Sequence, residues 1–306
     1  MEIPIKNNTE QSNVNEIKSF KEILYSELKR PKKIYYLLFF FFVLINILNF
    51  IFNGFTLIFF AFDIFVLAGI SILIGSFSYL NSKELFYKDL AKRLGFEYSA
   101  KGSVADVSGL LFDNGTGKKI YSVLSGKRDG YNVRMYDYSY YEANGKNSDR
   151  CYNKVFEIEF PFELPHMTLM EIRELNILPD FLREGLVNLS NKKENKYNDE
   201  HVDLEGDFNK NFNLLVEKGF QIEAREIFTP DIMQKIIDLG INLDFEACLN
   251  KLYIYEQGYK WHFPEGKEIE AFFSAADIIR DIFDDKFHFI KSSVKAMKEI
   301  LANKQA

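Results

Sequence analysis

The sequence predicts an α+β protein: a two-helix transmembrane hairpin near the N-terminus, then a mixed, mainly antiparallel soluble domain with C-terminal helices. Two long runs, residues 34–52 and 55–80, are almost free of charge. Beyond residue 95, segments with alternating polarity are typical of strands, and the residues after 268 recur at helical spacing. Strands followed by helices indicate an α+β domain.

The first hydrophobic run, residues 34–52, contains no charged residue. Its length suffices to cross about 30 Å of hydrocarbon at about 1.5 Å per residue. Asn53-Gly54 then suits a tight turn, and the second run, residues 55–80, carries one charge, Asp63. Both runs begin too late and are too long for a cleaved signal peptide. We therefore expect two membrane spans.

Basic residues lie before the first run and after the second run. They are Lys29, Arg30, Lys32 and Lys33 before the first run, and Lys83, Lys88, Lys92 and Arg93 after the second. The turn between the runs has no Lys or Arg, and positive flanks stay in the cytoplasm. The sequence thus predicts a multi-pass protein of the cell (inner) membrane with both termini cytoplasmic.

One acid, Asp63, and two amides, Asn46 and Asn49, lie inside the predicted spans. Asp63 falls roughly 12 Å from the turn at about 1.5 Å per residue, where a charge is costly. Folding the hairpin brings Asp63 to the level of Asn46 and Asn49, which share a helix face. These groups can form an ion or proton relay or a polar contact to another membrane protein. The interpretation we favour is a hydrogen-bonded Asp63 that locks the hairpin or an oligomer, because one carboxylate with two amides makes no pathway.

The N-terminal arm, residues 1–33, contains an amphipathic helix. Val14, Ile17, Leu24 and Leu28 recur at helical spacing before the basic stop. Such a helix can lie on the membrane surface, dock on the soluble domain or pair with another copy. Its mixed charges favour docking.

The soluble domain is expected to span residues 84–306, with a subdivision near 188–200. A helix at 84–94 continues the second span, and a strand-rich stretch follows. The predicted strands are 96–98, 120–124, 131–141, 155–160, 212–216, 245–249 and 252–255. The predicted helices are 179–186, 230–240, 268–284 and 287–301, with an exposed loop at 191–199.

Composition and motifs exclude several classes of function. The net charge of −6 argues against a nucleic-acid partner, and two cysteines give neither metal spacing nor a disulfide framework. The run Gly115-Thr-Gly-Lys-Lys119 lacks the upstream glycine and the Ser or Thr of a phosphate loop, so we interpret it as a hairpin turn. No complete catalytic constellation is found, so catalytic residues are unknown and no cofactor is predicted.

The sequence contains one candidate metal site. His201, Asp203, Glu205 and Asp207 alternate, and an extended chain would place all four on one face. Hard divalent cations prefer such clustered oxygens. Alternating charge is also normal for an exposed strand, and Gly206 can break the strand.

His166, His262 and Cys248 are interpreted as structural. His262, beside Trp261, can serve a ligand pocket, but an aromatic strand end or lid is favoured. His166 lies between a proline and a methionine, and Cys248 falls in an apolar strand.

A set of spaced motifs runs from residue 203 to 255. It reads Asp203-Leu-Glu-Gly-Asp-Phe208-Asn-Lys-Asn-Phe212, then Glu223-Ala-Arg225, Phe228-Thr229-Pro230-Asp-Ile-Met233 and Leu252-Tyr-Ile-Tyr255. It resembles the C-terminal signature of an uncharacterised family of bacterial membrane-anchored proteins, a domain of unknown function. The signature has an acid before F-N-x-x-F, then E-A-R, L-T-P-x-x-M and L-Y-I; Phe228 departs from its usual leucine.

The resemblance implies paired N-terminal spans before a soluble domain and no catalytic residues. In physical terms, Phe208 and Phe212 are expected to anchor a strand in the core. Glu223 and Arg225 are expected near a turn, and Thr229-Pro230 to begin a helix.

The sequence favours a membrane-tethered cytoplasmic binding or interaction domain of unknown specific role. Its expected partners are the lipid bilayer, an unidentified protein and a second copy in a homo-oligomer. The alternative is an enzyme with a noncanonical, metal-assisted site around residues 201–207. Transport is disfavoured, because two almost wholly apolar spans make a pore only by oligomerising. A concave pocket with Asp203, Glu205 and a histidine would favour the enzyme, and an aromatic patch would favour binding.

Overall fold

The structure of the chain is a computed structural model. It describes residues 20–29, 33–53, 57–144, 147–171, 197–206, 208–238, 244–257 and 266–286. The chain divides into two compact units. The first contains Met1–Leu94 and Phe263–Lys267, and the second contains Gly95–His262 and Glu268–Ala306.

Three helices lie among the described residues of the first unit: α1 (Phe20–Lys29), α2 (Lys33–Asn53) and α3 (Leu57–Leu94). Among the described residues, one stretch, Phe65–Leu94 of α3, is long and apolar enough to cross a membrane, with a mean hydropathy of 1.5 in its most apolar part. The corresponding stretch of α2, Phe39–Leu48, is shorter. The structure supports one candidate span, so the two-span hairpin stays a prediction. The second predicted run continues without a break into the helix predicted at 84–94.

The amphipathic helix α1 packs against the last third of α3. The ring of Phe20 is 1% exposed and lies 5.5 Å from the ring of Tyr79 and 6.2 Å from that of Phe86. Ser78 and Ser82 of α3 are fully buried, and their small side chains let helices approach closely. Within the first unit, the partner of the arm is therefore α3, which the sequence pattern did not indicate.

Of Asp63, Asn46 and Asn49, Asn46 alone has a described side chain. The amide of Asn46 donates a hydrogen bond of 3.0 Å to the carbonyl of Phe42 in its own helix. That bond satisfies Asn46 locally. The side chains of Asp63 and Asn49 lie outside the described residues, so their contact with Asn46 stays a prediction.

The described strands of the second unit form a nine-stranded sheet in the order β1-β2-β3-β4-β9-β8-β5-β7-β6. Every pair is antiparallel, which confirms the predicted mainly antiparallel domain. The strands are β1 (Glu97–Gly102), β2 (Thr116–Arg128), β3 (Tyr131–Asn144), β4 (Asn147–Glu159), β5 (Met167–Glu171), β6 (Asp199–His201), β7 (Phe212–Glu217), β8 (Asp244–Cys248) and β9 (Lys251–Gln257).

The interpretation of Gly115–Lys119 as a hairpin turn is wrong. Strand β2 begins at Thr116, and Gly115 and Gly117 have φ of 67° and 61°. A Cβ at Gly115 would lie 2.3 Å from the ring of Tyr140 on β3, so the glycine permits a close cross-strand approach. The turn between β2 and β3 is Asp129-Gly130, a pair typical of tight hairpin turns.

Short helices connect the strands. They are a 3₁₀ turn (Val104–Asp106), α4 (Leu110–Asp113), α5 (Phe208–Asn211), α6 (Gln221–Ile227), α7 (Pro230–Asp238) and α8 (Gly266–Asp285). The sequence indicated α7 and α8 but missed α4, α5 and α6, as well as strands β5 and β6. The predicted helices at 179–186 and 287–301, the end of the 230–240 helix and most of the 188–200 boundary lie outside the described residues.

One face of the sheet packs against α8. Phe156 of β4 lies 6.3 Å from Phe272 and 5.2 Å from Phe273, ring centre to ring centre. Arg128 of β2 holds Asp277 of α8 with a shortest contact of 2.5 Å. Aromatic packing and this ion pair together fix α8 on the sheet.

The opposite face, called here the cover face, lies beneath residues 103–113, called here the cover segment. Phe112 of this segment inserts its ring between Tyr138 (5.0 Å) and Tyr253 (4.9 Å). Tyr136 and Tyr138 are 1% and 0% exposed. The tyrosine-rich run 136–141, which its composition predicts at the surface, is therefore buried at these two rings by the cover segment.

Candidate functional site

The most polar part of the cover face is built around His166, the residue immediately before β5. Its side chain is 4% exposed, and its Nδ1 lies 2.9 Å from the carboxylate of Asp199 on β6. Its Nε2 lies 2.8 Å from Oε1 of Glu246 on β8. Ionised carboxylates only accept hydrogen bonds, so both ring nitrogens must carry hydrogen. His166 is an imidazolium between two acids; we call these three residues the His166 clamp.

Glu246 ties the clamp to the cover segment. Its side chain is fully buried, and its two oxygens accept hydrogen bonds from the backbone N–H of Leu110 (2.5 Å) and Leu111 (3.1 Å). Gly109, just before them, has φ of 130°, and a Cβ there would lie 2.6 Å from Glu246 Oε1. Only glycine allows this approach of backbone to carboxylate.

The surroundings of His166 favour its charged form. Burial lowers the pKa of His166, but the hydrogen bonds and negative charges of Asp199 and Glu246 outweigh burial and raise the pKa from 6.5 to about 9. The ring of Tyr197 stacks on the imidazole at 3.9 Å and 8°. A flat ring over an imidazolium adds a cation–π contribution.

This arrangement does not suit acid–base catalysis. A general base needs a free lone pair within reach of a substrate proton, whereas both nitrogens of His166 are engaged and its side chain is buried. The clamp instead joins the start of β5, strand β6, strand β8 and the cover segment. The structural interpretation of His166 is consistent with this geometry, although no pattern in the sequence indicated its partners.

A second charged network lies on the same face around Glu157 of β4. Arg134 of β3 donates two hydrogen bonds to its carboxylate, at 3.1 and 2.7 Å. The hydroxyl of Tyr136 donates a third at 3.1 Å, and Nζ of Lys251 lies 3.0 Å away. The carboxylate is 4% exposed and is neutralised by these partners.

Glu157 and its neighbours form the floor of a cleft of about 500 Å³. The strand register places two rows of side chains there: Glu97, Ser125, Arg134 and Glu157, and then Lys127, Asn132, Glu159 and Lys251. Residues two apart in a strand share a face, so both rows point to the same side. The floor therefore carries side chains of both charges, contributed by β1, β2, β3, β4 and β9 at one end of the sheet.

A larger cleft of about 830 Å³ adjoins this floor and shares Asn132 and Glu159 with it. It is lined by Tyr131, Phe162 and Leu249 among others, and Leu249 is 58% exposed. Glu159 stands at the junction and accepts hydrogen bonds from the amides of Asn132 (3.1 Å) and Asn250 (3.2 Å). We call the two together the joined cleft. Its residues are distant in sequence, so periodicity alone could not assemble it.

The candidate metal ligands are only partly described. Strand β6 ends at His201, so the extended run predicted for residues 201–207 does not continue. Nδ1 of His201 lies 3.4 Å from Asp203, whose side chain is 82% exposed. No group of three His, Cys, Asp or Glu side chains able to hold a metal occurs among the described residues, which do not include Asp207. Metal binding stays a prediction, with calorimetric titration of Mn²⁺ as its test.

The signature residues lie in and beside the core. Phe208 and Phe212 are buried and their rings stack at 4.6 Å. Glu223 and Arg225, expected near a turn, lie in α6, which begins two residues after the turn at residues 218–219.

The helix start at Thr229-Pro230 agrees with the structure, where α7 begins at Pro230. The hydroxyl of Thr229 donates to the carboxylate of Asp231 at 2.7 Å. These residues order local structure and line neither cleft.

Comparison with known proteins gives little further guidance. No protein-family model matches the chain, and no curated protein matches it. One solved structure is similar: the crystal structure of the mycobacterial trehalose monomycolate transport factor A, TtfA. The alignment has a TM-score of 0.43 and 10% identity, and covers 64% of this chain and 92% of that one. Similarity at this level carries no argument about function, and the resemblance to the bacterial membrane-anchored family stays a prediction.

Proposed function

We propose that this chain is a membrane-tethered binding protein whose sheet domain holds a protein partner in the joined cleft. The observation that carries the proposal is the cleft itself. One part offers exposed apolar surface at Leu249 beside the rings of Tyr131 and Phe162. The other part offers a floor of fixed charges. A polypeptide segment with apolar and polar side chains matches this combination.

The tether rests on the helices of the first unit. Apolar side chains on α2 and α3 point outward, among them Phe39 (64% exposed), Phe65 (79%) and Ile72 (68%). A water-soluble protein rarely exposes so much contiguous apolar surface, whereas a bilayer covers it. We further propose that both helices span the inner membrane, with the sheet domain in the cytoplasm.

This topology predicts a labelling pattern. A cysteine introduced by Asn53→Cys is expected to react with a membrane-impermeant maleimide on intact cells, because the turn faces outward. A cysteine introduced by Ile222→Cys, on the exposed face of α6, is expected to react only after the cells are opened. Labelling of Ile222→Cys in intact cells, without labelling of Asn53→Cys, would reverse the proposed orientation.

The binding proposal predicts which side chains capture the partner. In crosslinked co-purification of the full chain from native membranes, Leu249→Asp is expected to lower partner recovery by about tenfold or more, as for a central interface residue. Leu249 has φ of 57°, which aspartate tolerates, so the backbone need not change. Glu159→Lys is expected to act in the same direction through the charged junction.

The matched control is Ile222→Asp. Ile222 is as exposed as Leu249 but lies on α6, away from both clefts. Its partner recovery is expected to stay at the wild-type level. Equal recovery with Leu249→Asp and Ile222→Asp would reject the joined cleft as the binding site, and recovery of the chain alone in every sample would favour the enzymatic alternative.

A further inference from the structure

Strand β1 forms one edge of the sheet. It pairs with β2 on one side, and among the described strands none pairs with its other side. Five of its six residues are exposed, and the exception, Tyr98, is half-buried. An exposed edge presents backbone N–H and C=O groups that can pair with another chain.

The charges of β1 specify one way of pairing it with itself. The strand carries Glu97 and Lys101 on either side of Ser99. In an antiparallel pair centred on Ser99, Glu97 of each copy lies opposite Lys101 of the other, and Tyr98 lies opposite Ala100. Opposite charges in directly facing positions stabilise an antiparallel pair, and like charges destabilise it. Pairs centred on Glu97 or on Lys101 would bring like charges face to face.

We propose that two copies of this chain associate through β1, in an antiparallel register centred on Ser99, and so join their sheets into one. The contact is isologous, with the same six residues on both sides, as a two-fold dimer requires. Lysine on an edge strand ordinarily discourages pairing. In the register centred on Ser99, Glu97 of the partner copy lies opposite Lys101 and neutralises it. Lys101 therefore favours this register.

The edge remains able to pair despite one local hydrogen bond. Ser99 Oγ donates to the carbonyl of Lys101 at 2.8 Å. A carbonyl oxygen has two lone pairs, so that oxygen can still accept a bond from another strand. The inference goes beyond the proposed function, because it concerns the outer edge of β1, whereas the partner-binding residue Leu249 lies in the turn between β8 and β9.

The first test is oxidative crosslinking of the full chain in native membranes. In a Cys151→Ser background, which removes the half-buried thiol, Ser99→Cys places two thiols directly opposite each other. A disulfide requires Cα atoms about 4.4–6.8 Å apart, which facing residues of antiparallel strands satisfy. Ala100→Cys is the matched control, because residue 100 faces residue 98 of the other copy. We expect a covalent dimer from Ser99→Cys at several times the yield from Ala100→Cys.

The second test exchanges the charges. Glu97→Lys places like charges opposite each other at both ends of the pair and is expected to weaken dimerisation by about tenfold. Lys101→Glu is expected to do the same, and the double variant Glu97→Lys, Lys101→Glu is expected to restore the wild-type dimer. Restored dimerisation in the double variant distinguishes the β1 contact from an effect on the cleft, because Glu97 lines the cleft floor and Lys101 does not.

Two results would overturn the proposal. One is a Ser99→Cys dimer yield no higher than that of Ala100→Cys, or a crosslink only to a different protein. The other is a double variant that dimerises no better than the single variants, which would mean that the two charges do not face each other.

Discussion

The variant His166→Ala is expected to lower the free energy of unfolding by about 3–5 kcal/mol, the usual cost of breaking a buried ion pair. Removing the imidazolium leaves the carboxylates of Asp199 and Glu246, with side chains 1% and 0% exposed, without their common cation. Denaturant unfolding of the purified chain, followed by circular dichroism, measures the loss. The matched control, His201→Ala, removes an exposed histidine and is expected to change stability by no more than about 0.5 kcal/mol. Equal effects of both substitutions would show that the clamp is not stabilising.

The clamp also gives stability a defined pH dependence. The pKa of His166 is raised from 6.5 to about 9 on folding, so its contribution is complete below about pH 6.5 and is lost as the pH rises through 9. The full contribution is on the order of 3 kcal/mol, at about 1.4 kcal/mol per pKa unit. Subtracting the curve of His166→Ala from that of the wild type isolates this fall. Parallel curves between pH 6 and 10 would show that folding does not raise the pKa of His166.

The second large effect is expected from Gly109→Ala. The φ of 130° at Gly109 is nearly exclusive to glycine, and strain of this kind costs roughly 1–3 kcal/mol. The added Cβ would also lie 2.6–2.8 Å from the carboxylate atoms of Glu246, which two backbone N–H groups hold in place. We therefore expect a total loss of about 3 kcal/mol or more in the free energy of unfolding.

Gly130→Ala provides the control for that substitution. Gly130 has φ of 87°, but a Cβ there meets nothing within 4 Å. The free energy of unfolding that Gly130→Ala loses therefore measures the cost of a positive φ in a turn without a steric clash. A loss at Gly109 no larger than at Gly130 would show that Glu246 moves freely and that the cover segment is not fixed by it.

The clamp and the joined cleft are connected through the cover segment. Nζ of Lys251 lies 3.0 Å from Glu157 in the cleft floor and donates a bond of 2.6 Å to the carbonyl of Asp106 in the cover segment. The cover segment is held at its other end by Glu246. Loosening the clamp is therefore expected to shift Lys251 in the cleft as well as to lower the stability of the sheet.

Elements with a strong local pattern could be predicted from the sequence. The sequence predicted strands β2, β3, β8 and β9 and helix α8. In each of these segments the spacing of apolar residues indicates which of its own side chains are buried. Helices α4, α5 and α6 were missed because four to seven residues are too few to show a period. The run Gly115–Lys119 misled because glycines that permit close strand packing resemble turn glycines.

The sequence by itself determined the apolar helices, the antiparallel character of the domain and the exclusion of common catalytic motifs, all of which depend on neighbouring residues. Only the tertiary structure decided the clamp and the cleft. His166 meets acids 33 and 80 positions away, and the cleft floor combines side chains from β1, β2, β3, β4 and β9. Such contacts depend on which strands pair and in which register, and register is set by long-range packing that no single segment encodes.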